Sequence, residues 1–193
     1  RKKLWKWRPG TAPRELAAEC MGKIVPYVNW IICNEEDASD VFGIASESSS
    51  IEEGKIDAEG YCGVARRLLE RFPKAEYVAI TLRESYSANH NNWGAMLYGR
   101  AEGKAFFAPN DANGEYHPYE IRNIVDRFGG GDSFGAGLIY ALHSEEYRDP
   151  ATAIRFAAAA SCLKHTIHGD YNYVSLAEVV NLMNGSGSGR VMR

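Results

Sequence analysis

The sequence is short of every feature that would set it apart from an ordinary globular protein. It has four cysteines in 193 residues, Cys20, Cys33, Cys62 and Cys162, with no Cys-x-x-Cys pair. That excludes a disulfide framework and a cysteine-built zinc site, and leaves them as reduced, mostly buried small hydrophobes. Its most apolar stretches, Tyr27–Cys33 and Leu138–Leu142, are far shorter than the roughly 20 residues a membrane helix needs. No apolar run follows the basic first residues, so no signal peptide is expected and the protein is expected to be cytoplasmic. Neither sign of charge dominates, the net charge being −3. There is no internal repeat. The pair His165 and His168 is not expected to hold a metal.

What is present is enough apolar sequence, 45 % of residues, for a sizeable core. The chain starts at Arg1, without an initiator methionine and in mid-pattern, so it is expected to be a piece of a longer protein. Its first eight residues carry five positive charges, on Arg1, Lys2, Lys3, Lys6 and Arg8, around Trp5 and Trp7. With the remainder acidic, this is expected to be a solvated loop after a strand rather than a nucleic-acid or membrane contact.

Beyond it, helical and strand patterns alternate. Thr11 and Pro13 open a helix with Leu16, Cys20, Met21 and Ile24 on one face, closing before Pro26. Val28–Cys33 reads as a buried strand and Glu35–Val41 as a short helix. Asp57 caps a helix that runs to Phe72 and stops at Pro73. Tyr77–Leu82 reads as a second buried strand. Trp93–Tyr98 and Lys104–Ala108 form a hairpin about Gly99–Gly103, and Tyr119–Val125 is another strand. Asp132–Tyr147, Pro150–Thr166 and Ser175–Met183 are helices. The order predicts an α/β fold with a largely parallel sheet and an antiparallel edge. Residues 1–184 form the core, and the Gly/Ser-rich 185–193 is a flexible tail.

The chemistry concentrates in Asp126-Arg-Phe-Gly-Gly-Gly-Asp132-Ser-Phe-Gly-Ala-Gly137, which leads into a helix with Phe134, Leu138, Ala141 and Leu142 on its apolar face. Gly129, Gly130 and Gly131 carry no Cβ, so backbone N–H groups at the helix start can converge on one small space. With the helix dipole this suits an anion such as a phosphoryl group. An aspartate there either caps a glycine-rich turn or orients a hydroxyl and accepts its proton. Two other glycine motifs are excluded. Gly135 is followed by Ala136 rather than the lysine of a Walker A loop, and Phe134 stands where a dinucleotide fingerprint needs a small residue. The alanine-rich Ala151–Ala160 is either close helix packing or a cofactor wall.

Asp126-x-x-Gly-x-Gly-Asp132-x-Phe resembles the second signature of ribokinase-like (PfkB-type) carbohydrate kinases. The resemblance implies a three-layer α/β/α core whose amino-terminal half and β lid lie outside this chain. It makes Asp132 the general base and Gly129, Gly130 and Gly131 the anion hole. Asn34-Glu-Glu-Asp37 resembles the family's N-x-x-E element, which orders the magnesium–phosphate water shell, with Asp37 one methylene shorter than the usual glutamate. Asp126 then supports the loop or a monovalent cation site. Thr81 lies near the nucleotide, and Arg83, where the family has glycine, is a further nucleotide candidate. Together with Arg1-Lys-Lys-Leu-Trp5, these elements are most similar to 2-keto-3-deoxygluconate kinases, in which Arg1 would grip the substrate carboxylate. The family implies ATP, Mg2+ and a small sugar-acid substrate, no nucleic acid or membrane partner, and a homo-oligomer once the chain is full-length. Other sugars, such as ribose or fructose, and a non-catalytic nucleotide-binding fragment remain open at this point.

Overall fold

A computed structural model of the chain describes residues 2–45 and 57–185. The expected tail therefore lies almost wholly outside the described residues. The chain forms two compact units, one from the residues up to Ile80 together with Tyr98–Ala105, the other from Thr81–Leu97 and Phe106 onward.

In the first unit, Lys2–Trp5 form a 3-10 turn where a strand exit was expected. Helix α1, Pro13–Ile24, begins on the proline, whose fixed φ suits the first helical position. Its N-cap position is Ala12, not Thr11, and no side chain caps it. Leu16 and Ala17 are buried, whereas Ile24, expected on the apolar face, is exposed. Glu19 accepts from Arg8 at 2.5 Å and from Lys23 at 2.9 Å. Those two bonds, the Arg8 one foremost, hold its carboxyl at about 2, well below the ordinary range.

Strand β1, Trp30–Asn34, hands directly to helix α2, Glu35–Phe42. Helix α3, Ala58–Arg71, has Asp57 as its N-cap, accepting from Gly60 N at 2.9 Å, and ends at Phe72 before Pro73 as the sequence predicts. It buries Val64, Ala65, Leu68 and Leu69. Its carboxyl end is tied down from a distance. Arg100 donates to the carbonyls of Leu69 (2.6 Å), Phe72 (3.1 Å) and Ala75 (2.8 Å); the Leu69 carbonyl, four residues before Pro73, gets no donor from its own helix.

The sheet runs β1-β2-β3-β4 with a fifth strand on β3. Its members are β2 (Tyr77–Ser87), β3 (His90–Gly99), β4 (Lys104–Ala108) and β5 (Tyr119–Ile121). It is mixed and more antiparallel than one edge hairpin. A two-residue turn joins β2 to β3, which only antiparallel strands accept, and β5 pairs antiparallel with β3 in the register Asn91↔Ile121, Trp93↔Tyr119. The β2–β3 hairpin reaches to Ser87 and His90, further than the apolar pattern predicts. This extension is polar and is held across the strands by side chains. Asn92 donates to Glu84 at 2.9 Å, and the Tyr86 and His90 rings stack at 4.8 Å.

Three helices complete the second unit: α4 (Gly130–His143), α5 (Pro150–Lys164) and α6 (Leu176–Met183). Phe134, Leu138 and Ala141 of α4 are buried, as are Ala157 to Ala160 of α5. The α4 and α5 backbones come close at Gly137. A Cβ there would lie 3.2 Å from both Ala157 Cα and Ala160 Cβ, so the alanine run is a helix-packing surface. Ser175 and Glu178 form a capping box on α6.

Replacing Arg100 with methionine should keep the aliphatic stem and remove a charge-assisted donor from three carbonyls, of which Phe72 O keeps Ala75 N at 3.0 Å. Charge-assisted bonds of this kind are worth about 1.5–3 kcal/mol. The full-length variant should therefore show a lower denaturant midpoint, measured by far-UV circular dichroism.

Candidate active site

The predicted motif occupies the loop before α4. Gly129 is the N-cap, in the left-handed region at φ 76°, and a Cβ there would fall 2.1 Å from the carbonyl oxygen of Asp170. Both the backbone angle and the contact demand glycine. Gly130 is buried against His165, while Gly131 faces open space, with nothing within 4 Å of an added Cβ. Helical bonding starts with Ser133 N donating to Gly129 O at 2.8 Å. The N–H groups of Gly130, Gly131 and Asp132 precede it and have no partner among the described residues. They are the free donors that a helix start offers to an anion.

Asp132 lies in this first turn, exposed, its carboxylate without a hydrogen bond among the described residues. It lines a cleft of about 490 Å³ together with Ala136, Tyr140, Phe156, Tyr171 and Leu176. Asp126 behaves differently. Its two carboxylate oxygens accept from Phe128 N at 3.0 Å and from Gly169 N at 2.9 Å, and those bonds hold its carboxyl below the usual carboxylate range. Asp126 thus ties the backbone at Phe128 to that at Gly169.

Residues given no part in the site by the sequence hold the loop in place. Ser161 Oγ donates to Gly130 O at 2.7 Å, and Val125 N donates to His165 O at 2.8 Å. His165 is buried, its ring 4.8 Å from that of Trp93. Burial pushes its pKa down, which favours the neutral ring, and in that form Nδ1 carries the proton because it meets the carbonyl of Ser161 at 2.9 Å. Lys164, fully buried, donates to Ile167 O at 3.0 Å and adds favourable charge for Asp126. Arg127 reaches across to the β2–β3 turn, where it donates to Ser87 O, Ala88 O and Asn91 Oδ1. None of these carries a motif of its own, and only Arg127, inside the signature, had a signal that could have found it.

Thr81 and Arg83 lie on β2 in the same unit, half-buried and exposed respectively. Asn34 and Asp37 belong to the first unit, where they form a capping box on α2. Asn34 Oδ1 accepts from Asp37 N at 2.8 Å, and Asp37 Oδ2 accepts from Asn34 N at 3.1 Å. Both side chains are exposed, and the second oxygen of Asp37 takes no part in the box. Arg1 lies outside the described residues. Among the described residues no group of three His, Cys, Asp or Glu is placed to hold a metal directly, and no helix is long and apolar enough to cross a membrane.

Comparison with known proteins converges on one family. Residues 100–175 match the pfkB family carbohydrate kinase. Among solved structures, the chain is 38 % identical to a 2-dehydro-3-deoxygluconokinase from Thermotoga maritima, with a TM-score of 0.75, covering 89 % of this chain and 47 % of that one. A PfkB family carbohydrate kinase from Listeria grayi is 27 % identical, with a TM-score of 0.73 over 95 % of this chain and 48 % of its own. A double-mutant fructokinase from Vibrio cholerae O395, bound to fructose, ADP and potassium ion, shares the fold at 21 % identity, with a TM-score of 0.59 over 95 % of this chain and 47 % of its own. No curated protein matches. The fold is therefore ribokinase-like, and the chain spans about half the length of the structures it matches.

The three glycines should separate by substitution. Gly129→Ala combines a strained φ with a backbone clash and should cost about 2–5 kcal/mol. Gly131→Ala meets nothing and should stay within about 1 kcal/mol of the parent. Thermal unfolding of the two full-length variants checks this, and equal losses would contradict the geometry.

Proposed function

We propose that this chain, which belongs to the pfkB family of carbohydrate kinases, carries the phosphoryl-transfer machinery of an ATP-dependent kinase whose substrate is 2-keto-3-deoxygluconate. The observation that carries the reading is the helix start at Gly129–Gly131. Three N–H groups and a carboxylate, Asp132, all without a hydrogen-bond partner among the described residues, sit within one turn of each other, at the edge of an open cleft. The sugar-acid assignment is supported by the 38 % identity to the Thermotoga maritima enzyme.

In this reaction the substrate hydroxyl oxygen bonds to the γ-phosphorus of ATP as the bond to the β–γ bridging oxygen breaks, releasing ADP. Asp132 holds the hydroxyl in line and takes its proton. In a loose transition state that proton leaves late, so an ordinary carboxylate is basic enough. The N–H groups of Gly130, Gly131 and Asp132 stabilise charge gathering on the equatorial oxygens, an effect of roughly 3–4 kcal/mol per well-aimed donor. Thr81 and Arg83 are assigned to the nucleotide. Asn34 and Asp37 fit a magnesium ion held through its waters, since Mg2+ keeps several waters and prefers oxygen ligands. That ion would neutralise phosphate charge. Asp126 is assigned to loop support, with a neighbouring monovalent cation as a further role. A cytoplasmic location, where ATP is supplied and thiols stay reduced, belongs to the same proposal.

Asp132→Asn in the full-length enzyme preserves size but cannot collect a proton. Its kcat should fall about 10²–10⁴-fold, the range of general-base loss, while ATP affinity by calorimetry holds or tightens. Retention of more than about a tenth of kcat would remove Asp132 from the mechanism.

Arg1 tests the substrate class. Arg1→Ala should raise KM for the sugar acid about 10- to 100-fold, the worth of a charge-assisted pair, and leave a neutral sugar such as fructose unaffected. Equal effects on both would favour a neutral-sugar kinase.

A further inference from the structure

We infer that Arg127 is a positioning residue for phosphoryl transfer, fixing the triglycine loop by bonding it to the turn between β2 and β3. The inference rests on the proposed role of that loop. Arg127 stands in the loop between Asp126 and Phe128, and its guanidinium leaves the loop entirely. Nε donates to Ala88 O at 3.1 Å, and one terminal nitrogen to Ser87 O at 2.7 Å, Ala88 O at 2.7 Å and Asn91 Oδ1 at 3.1 Å. All three acceptors are neutral, so no carboxylate accounts for the charge placed there. A fork of donors converges on one turn, a pattern that Arg makes and Lys cannot.

Within the turn itself, Asn89 N donates to Ser87 Oγ at 3.2 Å, and the backbone carbonyls of Ser87 and Ala88 are taken by Arg127. Ser87, Ala88 and Asn89 are exposed, and the strand ends beside them are polar. Asn91 is fully buried, yet its amide nitrogen has no partner among the described residues, and its oxygen accepts from Arg127. One further bond, Ile124 N to Asn89 O at 3.2 Å, stitches the same two segments together. On its other side the loop is fixed by Asp126 to Gly169 N.

The consequence follows from what the loop is made of. Three successive glycines have wide backbone freedom, so their N–H directions are set by what grips the loop at either end. Arg127 is the grip toward the β2–β3 hairpin, and β2 also carries Thr81 and Arg83. A shift of about 1 Å in such donors is enough to cost on the order of 100-fold in rate. Because their interaction grows in the transition state, the loss should appear in kcat rather than in substrate binding.

The test uses the full-length enzyme with Arg127→Met, Arg127→Lys and Arg127→Ala. Arg127→Met should lower kcat per folded enzyme about 10- to 100-fold, with KM for the sugar within about threefold, alongside a lower melting temperature from the bonds it removes. Arg127→Lys keeps the charge but not the fork, and should fall between Met and the parent. Millimolar guanidinium should restore part of the Arg127→Ala rate saturably, without accelerating the parent. A kcat within about threefold of the parent in both Met and Lys variants overturns the inference. So does a loss that vanishes once rates are normalised to folded protein, or a failure of guanidinium to rescue. Should Arg127→Met not fold, the Lys variant and the rescue decide the matter. Asp132→Asn, assayed in parallel, separates the two claims. If it is active, the loop's assignment fails. If it is dead while the Arg127 variants behave as the parent, only the positioning role fails.

Discussion

The carboxylate of Asp126 governs the site because it binds two backbone N–H groups 41 residues apart, Phe128 at 3.0 Å and Gly169 at 2.9 Å. It draws the loop before α4 against the turn after α5. The approach is close enough that Gly129 meets the carbonyl of Asp170 with no room for a Cβ. A positive φ and a close backbone contact at one residue are the two conditions that only glycine satisfies. Once Gly129 takes that angle, α4 starts at Gly130 and its first N–H groups are committed to face away from the helix body. The direction of these N–H groups is thus inherited from a carboxylate several residues earlier in the chain.

Helix α5 continues the constraint. Small residues at Gly137, Ala157 and Ala160 let α4 and α5 approach closely, and that approach carries Ser161 and His165 up to Gly130. A larger residue at position 137 would separate the helices and withdraw the Ser161 hydroxyl from Gly130 O, now 2.7 Å away. Close packing is unforgiving in this way because protein interiors have the density of organic crystals and transmit a shift rather than absorb it. The alanine-rich sequence, which carries no catalytic chemistry itself, is therefore part of how the loop is shaped. His165 contributes as a neutral wedge. Its buried ring packs on Trp93 and hydrogen-bonds the carbonyl of Ser161, and a charged imidazole would be disfavoured there.

Most elements were legible in the sequence because helices announce their ends. Asp57 and Pro73 bracket α3, Ser175 caps α6, and Pro13 starts α1. Strands were legible where they are apolar and lost where they are polar. The β2–β3 extension past Leu82 holds through Glu84–Asn92 and Tyr86–His90 pairs, which leave no hydrophobic alternation to read. The triglycine motif was legible because its chemistry is local. Its supports were not, since Ser161, Lys164 and His165 lie some thirty residues onward and look like any polar residues at a helix end. Asn34 and Asp37 show the converse. The motif was visible, and the structure adds that the same spacing is a capping box, so helix initiation alone would select these residue types.

Two aspartates bracket the loop, six positions apart, and their surroundings assign them opposite work. Asp126 has committed an oxygen to each of two N–H donors and sits near the buried Lys164, all of which favour its charged form. Protonating it would weaken the bonds that set the loop, so it is poorly suited to exchanging protons. Asp132 has no such engagement among the described residues and stands exposed in the first turn of α4. A carboxylate in that place is also repelled by any phosphate bound at the helix start. The repulsion favours an arrangement in which a hydroxyl lies between the two, donating its hydrogen to Asp132 and presenting its oxygen to phosphorus. Neutralising the carboxylate by taking up that proton then removes the repulsion as the new bond forms. On the proposed reading, the loop keeps one aspartate engaged by two N–H donors to hold its shape and leaves the other unengaged to take up the proton of the substrate hydroxyl.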